Sequence, residues 1–300
     1  SGSSRKVTSD DPAAPPTSAP AGGAPPVGYG PPAVLGRIED PAVTESSGLA
    51  ASRRYPGVLW THNDSGDEPN VYCLDLQARS CGTWRVTGAQ AFDWEGMAAG
   101  PGPRPDQSYL YLGDIGDNLD QRSDIVLYRI PEPTPPAPGV LSPASTAPAE
   151  ALRLRYPDGP HNSEALLVHP VSGDVYVIAK DDQAPRVYKA AAPLDASRRA
   201  TLTLVGTIQL GTSIRGLEQV TGGDISPDGT RVAFSTYAQG YELVLPSGAM
   251  SFDEIWAQPP QRVDLGPRLQ GEAIAYRADG RALLTTSELA PAPLQQVERR

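Results

Sequence analysis

Oxygen-bearing side chains recur in this 300-residue sequence at fixed places in a repeated pattern. Glu45 and Ser47, Asp93 and Glu95, Asn162 and Glu164, Gln219 and Thr221, and Gln270 and Glu272 each stand just ahead of a short apolar run. A spacing of two puts both members of a pair on the same side of a strand. One hairpin later, where a second apolar run ends, stand His62, Asn63 and Asp64, then Asp114 and Asp117, then Lys180 and Asp181, then Tyr237, then Glu288. Antiparallel pairing of the two runs brings both sets to one end. Carboxylates gathered so closely raise one another's pKa unless a bound cation, a basic neighbour such as Lys180 or Arg215, or a shared proton relieves them. Hard oxygen ligands with amide and water companions suit Ca²⁺, and Mg²⁺ less well. The ligand-binding set expected from this pattern is Glu45, Asp64, Asp93, Glu95, Asp114, Asn162, Glu164 and Glu272, with Asp93, Glu95 and Glu164 as metal ligands. The competing reading is that these side chains satisfy strand ends and channel waters.

Other chemistries fit less well. Paired acids at a channel mouth are what glycoside hydrolysis requires, and Asp93, Glu95, Glu164 and Glu272 are its candidates. An evident tryptophan platform is missing: Trp60, Trp84 and Trp256 read as core fillers, with Trp94, between Asp93 and Glu95, as the exception. The loops HNDSGDEPN and GDIGDNLDQRSD lack the full EF-hand pattern and its flanking helices, and turn chemistry explains their Gly, Asn and Asp. His62, His161 and His169 show no zinc-ligand spacing, although His62 and His161 are placed to approach the mouth. There is no G-x-S-x-G elbow, and VTGGDISPDG reads as strand, turn, strand rather than a phosphate loop.

The elements that must position these residues form a degenerate repeat. TESSGLAASRRYPGVLWTHND, FDWEGMAAGPGPRPDQSYLYLGD, HNSEALLVHPVSGDVYVIAKDD, QVTGGDISPDGTRVAFSTY and QGEAIAYRADGRALLTTSE share one plan: a polar residue, a small residue, a short apolar strand, a turn and a second apolar strand. Their anchors, Ser47, Glu95, Glu164, Thr221 and Glu272, are spaced by 48, 69, 57 and 51 residues. The Pro-rich insertion EPTPPAPGVLSPASTAPAE lengthens the second unit. Candidate outer strands follow each pair, so four strands per unit predict an all-β fold, a β-propeller of about five blades, or six if one degenerate unit escapes the alignment. The last unit runs out of chain after LQQVE, and the strand at AVLGRIE near Val34 is placed to close the ring beside it, leaving no open edge.

Composition bounds the partners. Thirty-five acidic against 25 basic residues give a net charge of -10, which disfavours nucleic acid and favours cations or basic surfaces. No apolar run approaches the roughly 18 residues that span a bilayer. The two cysteines, Cys73 and Cys81, are spaced for adjacent strands joined by a short turn, which suits a cross-strand disulfide; two buried thiols are the alternative. A disulfide favours an oxidising, extracytoplasmic compartment. Residues 1–32, rich in Pro, Ala, Gly and Ser, are expected to be a disordered tether ahead of a single propeller domain over 33–300. Their opening Ser-Gly-Ser-Ser and Pro-rich spacer resemble the stretch after the lipid-bearing Cys of a bacterial lipoprotein, or else a cloning remnant.

TESSGL, THNDSGD, DWEGMA, YLGDIGDN with LYRIPEP after it, and VTGGDISPDGTRVAFSTY together resemble a largely uncharacterised group of bacterial, chiefly actinobacterial, secreted or lipid-anchored propeller proteins, over residues 40–290. SPDG also resembles the turn of TolB-type and WD40-like blades. The acid-first inner strands are similar, more distantly, to calcium-dependent six-bladed propellers such as the gluconolactonase and phytase-like groups. That similarity implies a channel metal that polarises substrate; no residue of those families carries over to a position here.

The function expected is a binding or scaffold module of the cell envelope or exterior, held by a lipid anchor, monomeric, with a protein or glycan partner and Ca²⁺ at its acidic mouth. The alternatives are a metal-assisted hydrolase of esters, lactones or phosphates, and a glycosidase with paired carboxylates.

Overall fold

The computed structural model describes residues 28–64, 66–211 and 217–300, so Arg215 and residues 1–27 of the expected tether lie outside the described residues. Five sheets of four antiparallel strands make up the fold, and the second carries in addition the two-residue strand Ala200–Thr201, parallel to its outermost strand. From the inside outwards, blade 1 comprises Ser46–Ala51, Val58–Asn63, Asn70–Asp75 and Ser80–Arg85. Blade 2 comprises Trp94–Pro101, Ser108–Asp114, Ile125–Pro131 and Glu150–Arg155. Blade 3 comprises Ser163–Val168, Val175–Ala179, Arg186–Ala190 and Thr203–Thr207, and blade 4 Val220–Ile225, Arg231–Thr236, Gly240–Val244 and Gln261–Val263. Blade 5 combines Gly271–Tyr276, Ala282–Ser287 and Pro293–Glu298 with the N-terminal strand Ala33–Arg37. The innermost strands pack on one another in sequence order, and blade 5 packs on blade 1, so the ring is closed with five blades.

Closure falls where the two ends of the chain suggest. Ala33–Arg37 pairs antiparallel with Pro293–Glu298, and Gly30 N–H donates to Glu298 O at 2.7 Å just before it. Tyr29, within the expected tether, donates its hydroxyl to Glu242 of blade 4 at 2.7 Å. The Pro-rich insertion of the second unit lies along the outer strand of blade 1, where Arg85 N–H donates to Ala144 O at 3.0 Å and Thr146 N–H to Arg85 O at 2.9 Å. An edge that would otherwise invite pairing is thereby covered.

The small residue after each anchor has a packing cause. A Cβ at Gly96 of blade 2 would lie 2.6 Å from Leu166 N of blade 3, and one at Gly222 of blade 4 would lie 2.5 Å from Glu272 O of blade 5. Near the axis the innermost strands approach so closely that only Gly or Ala fits, while larger residues outward fill the wedges between blades. All four tryptophans are among the fully buried side chains. Trp94 is no exception to the core-filling role: its indole N–H donates to Gln90 O at 2.9 Å and its ring meets His62 edge-on. Cys73 and Cys81 are joined in a disulfide between the third and fourth strands of blade 1.

Candidate cation site at the channel mouth

Every innermost strand carries a register shift against its neighbour at the anchor: between Ser46 and Gly48, Trp94 and Met97, Ser163 and Ala165, Val220 and Gly222, and Gly271 and Ile274. The anchors Ser47, Glu95, Glu164, Thr221 and Glu272 fall within these bulges. A bulge leaves its extra residue out of the ladder and re-aims it. Five bulges in register around a ring thus free five side chains at one end of the channel. Ser47 Oγ donates to Glu95 Oε2 across the gap between blades 1 and 2 at 3.4 Å.

The ends of the second strands bring the rest. In blade 1, Asn63 Oδ1 accepts from the backbone N–H groups of Thr44 at 3.0 Å and Glu45 at 3.2 Å, and Asp64 N–H donates to Glu45 O at 3.1 Å. This clamp sets Glu45 beside Asp64. In blade 2, Asp93 O accepts from Gly116 N–H at 3.2 Å, and a Cβ at Gly116 would lie 2.3 Å from Asp93 Oδ2. Glycine is needed there because the carboxylate rests against the backbone. One oxygen each of Asp64, Asp93 and Glu95 lie within 4.8 Å of one another, and so do one each of Glu45, Asp64 and Glu288. Asp64 is common to both groups.

On the other side of the mouth, the carboxylate of Glu164 accepts from Lys180 Nζ, which also donates to Tyr237 OH at 2.6 Å. Glu164 Oε2 is buried with no hydrogen-bond partner among the described residues. Arg268 lies near Glu272, and its Nη1 likewise lacks such a partner.

The electrostatics follow from burial and crowding. Burial, then the charges of Glu164, Asp64 and Asp93, holds Glu95 well above the ordinary carboxylate range. Burial pushes Glu164 up to about 7 even though Lys180 pulls the other way. Burial, with Glu164 and Glu288 adding repulsion, pushes Glu272 up to about 9. Glu288 is raised by burial and by Glu45 and Asp64. Burial opposes the charge on Lys180, but Glu164 and Tyr237 overrule it and raise its pKa. The mouth therefore holds more negative charge than its own cations offset, and protons fill the deficit.

Of the expected ligands, Glu45, Asp64, Asp93, Glu95, Glu164 and Glu272 share this mouth. Asp93 and Glu95 form a close group with Asp64, while Glu164, the acid that acts most strongly on Glu95, is itself paired with Lys180. Asp114 is occupied by Arg122 at 2.8 Å and by the N–H groups of Phe92 and Asp93. Asn162 ties the loop of blade 2 to blade 3, accepting from Asp117 N–H at 2.8 Å and donating to Asn118 at 3.1 Å. His62 is fully buried, and its Nδ1–H donates to Asn63 O at 2.7 Å; His161 sits with Asp158 and Tyr188. Glu288 joins through the strand-end position.

No protein-family model matches the chain, and no curated protein does. Solved structures do. The PQQ-bound aldose sugar dehydrogenase of Streptomyces coelicolor superposes with a TM-score of 0.52 at 13% identity, covering 92% of this chain and 100% of its own. The likeness is one of fold: a β-propeller. A putative glucose dehydrogenase of Thermus thermophilus (TM-score 0.47, 12% identity, 90% of this chain and 100% of that one) and the Cps50 propeller domain of Myceliophthora thermophila (0.43, 13%, 83% and 82%) are more distant.

Proposed function

We propose that the protein is a binding module of the cell envelope or exterior whose acidic channel mouth holds Ca²⁺ between Asp64, Asp93 and Glu95. The observation that carries this reading is the mutual reach of those three carboxylates within 4.8 Å. Calcium–oxygen bonds of about 2.3–2.6 Å place ligands on opposite sides of one ion about that far apart. The unpartnered Oε2 of Glu164, on a side chain 8% exposed, marks a further negative atom of the same mouth awaiting a positive partner. Ca²⁺ would replace the protons the crowded acids now need.

Partner binding is supported by the face around the mouth. Phe92, Leu119, Leu217, Leu269 and Leu289 are exposed by 43–74% on the loops of this end. Apolar side chains rimming a polar centre are what a protein or glycan contact uses. The disulfide between Cys73 and Cys81 supports an oxidising compartment, and with it a location outside the cytoplasm. PQQ, an acidic quinone, does not fit a mouth lined by carboxylates.

Metal analysis of protein purified without chelator, with melting curves in EDTA and after calcium is restored, tests the reading. Bound calcium and a melting temperature that falls in EDTA and recovers support it; absence of metal and an unchanged melt sink it. Saturation at a hundred times Kd would stabilise the fold by about 2.7 kcal/mol. The hydrolase alternative would use the same ion with Glu272 as proton donor, and turnover of an ester, lactone or phosphate by the calcium-loaded protein would favour it over a purely binding role.

A further inference from the structure

The far end of the channel has the opposite chemistry. Arg53 follows the innermost strand of blade 1, and its Nη2 donates to Ile225 O at 3.2 Å and stands 3.8 Å from Asp224 Oδ1. Asp224 and Ile225 end the innermost strand of blade 4, which is not a neighbour of blade 1 in the ring. The arginine therefore reaches across the axis and forms a floor. Asp224 is held in place by the N–H groups of Ile225 at 2.9 Å and Tyr276 at 2.8 Å.

Nε and Nη1 of Arg53 are buried without a hydrogen-bond partner among the described residues, and so is Ser108 Oγ. A buried donor left unpaired costs about 1–3 kcal/mol, so an acceptor from outside the chain is favoured there. Arg53, Arg54 and Ser108 line a cavity of about 470 Å³ whose collar includes Pro101, Pro170 and Pro227, one proline from each of three blades. A mostly apolar cavity of this size with a few converging polar groups is the ordinary form of a small-ligand site. Its charge is modest: Asp224 offsets Arg53, Asp106 is engaged by Arg104 at 3.2 Å, and Arg54 remains.

We propose that this arginine-floored mouth binds a small organic carboxylate, its anionic end on Arg53 and Arg54 and its apolar body against the proline collar. A planar guanidinium matches a carboxylate in shape and donor geometry. One net positive charge favours a monoanion over a phosphate dianion. The site is separate from the acidic mouth and does not depend on the cation there.

Calorimetric titration of the full chain, in EDTA at low salt, with benzoate, benzyl alcohol and inorganic phosphate tests it. Saturable binding of one benzoate, with no comparable binding of benzyl alcohol or phosphate, is expected. Arg53→Gln and Arg54→Gln should each weaken benzoate by at least about tenfold, equivalent to 1.4 kcal/mol. Because Arg53→Gln leaves Asp224 buried without its partner and can cost folding, Ala278→Trp supplies a second route: Ala278 is an exposed lining residue, and the larger ring fills the cavity. That variant should abolish benzoate binding while calcium titration and the melting curve stay as in the parent. Absence of saturable binding, equal binding of benzyl alcohol or phosphate, or benzoate binding unchanged in both Arg54→Gln and Ala278→Trp would overturn the proposal.

Discussion

Replacing Glu272 with Gln removes one charge from the mouth while keeping the side chain's size, and the structure fixes the sign of its effect on stability. The folded protein raises this carboxyl from 4.5 to about 9, chiefly through burial, then through Glu164 and Glu288. A folded pKa above the unfolded one means that the group's contribution is fully present below about pH 4.5 and is lost as pH rises towards 9. At neutral pH the unfolded chain has released the proton and the folded one retains it. With about 1.36 kcal/mol per pKa unit, the penalty at pH 7 has a ceiling of about 3 kcal/mol. Relaxation of the neighbouring acids reduces it, so a gain of about 1–2 kcal/mol is expected for the glutamine variant at pH 7. That corresponds to a melting temperature higher by about 2–8 °C in a domain of this size. Thermal melts of both proteins in EDTA from pH 4.5 to 9 read it directly. The variant should match the parent at the acid end and gain steadily above it. A difference that does not change with pH, or a variant less stable at pH 7.5, would refute the electrostatic account of the mouth.

Four further outcomes follow from particular contacts. Asp64→Asn removes the carboxylate common to both acidic groups and should abolish the rise in melting temperature produced by calcium, read by melts with and without the ion. Lys180→Met removes the counter-charge that holds the Glu164 carboxyl down and should destabilise the fold by about 3–5 kcal/mol in urea unfolding, the loss growing as pH rises through about 7, where Glu164 of the parent ionises beside Lys180. Gly48→Ala places a Cβ 2.4 Å from His62 Nε2 and 3.1 Å from Met97 Cβ, so a loss of about 1–3 kcal/mol is expected from chemical denaturation. Reducing the Cys73–Cys81 bond, which closes a short loop with a sequence separation of 8, should cost about 2–3 kcal/mol, seen as a lower melting temperature in dithiothreitol.

The ring was legible in the sequence because each blade repeats one local plan. Polar anchor, small residue and apolar strand recur, and the small residue is there because a Cβ at Gly96 or Gly222 would come within 3 Å of the backbone of the next blade. Closure at Val34 followed from a last unit one strand short. The acids of the mouth were legible by strand-end logic, including Asp64 and Glu45. Two things were hidden. How closely the acids meet depends on the anchor bulges and on the Asn63 clamp, and neither shows in residue spacing; this is why the close approach of Asp64 to Asp93 and Glu95, and the pairing of Glu164 with Lys180, could not be read there. Asp114 and Asn162 look like ligands by type, yet loop contacts with Arg122 and Asp117 occupy them. Arg53 carried no signal at all, since Ser-Arg-Arg at a hairpin tip reads as a solvated turn and its reach to blade 4 is a property of the assembled channel.

A divalent ion at the acidic mouth is what joins the clustered carboxylates to a binding role. An anomalous difference map from crystals grown with calcium tests that claim at the atoms concerned. A peak about 2.3–2.6 Å from carboxylate oxygens of Asp64, Asp93 and Glu95 is predicted. A map with no peak at the mouth, in crystals that diffract well enough to show one elsewhere, would contradict it.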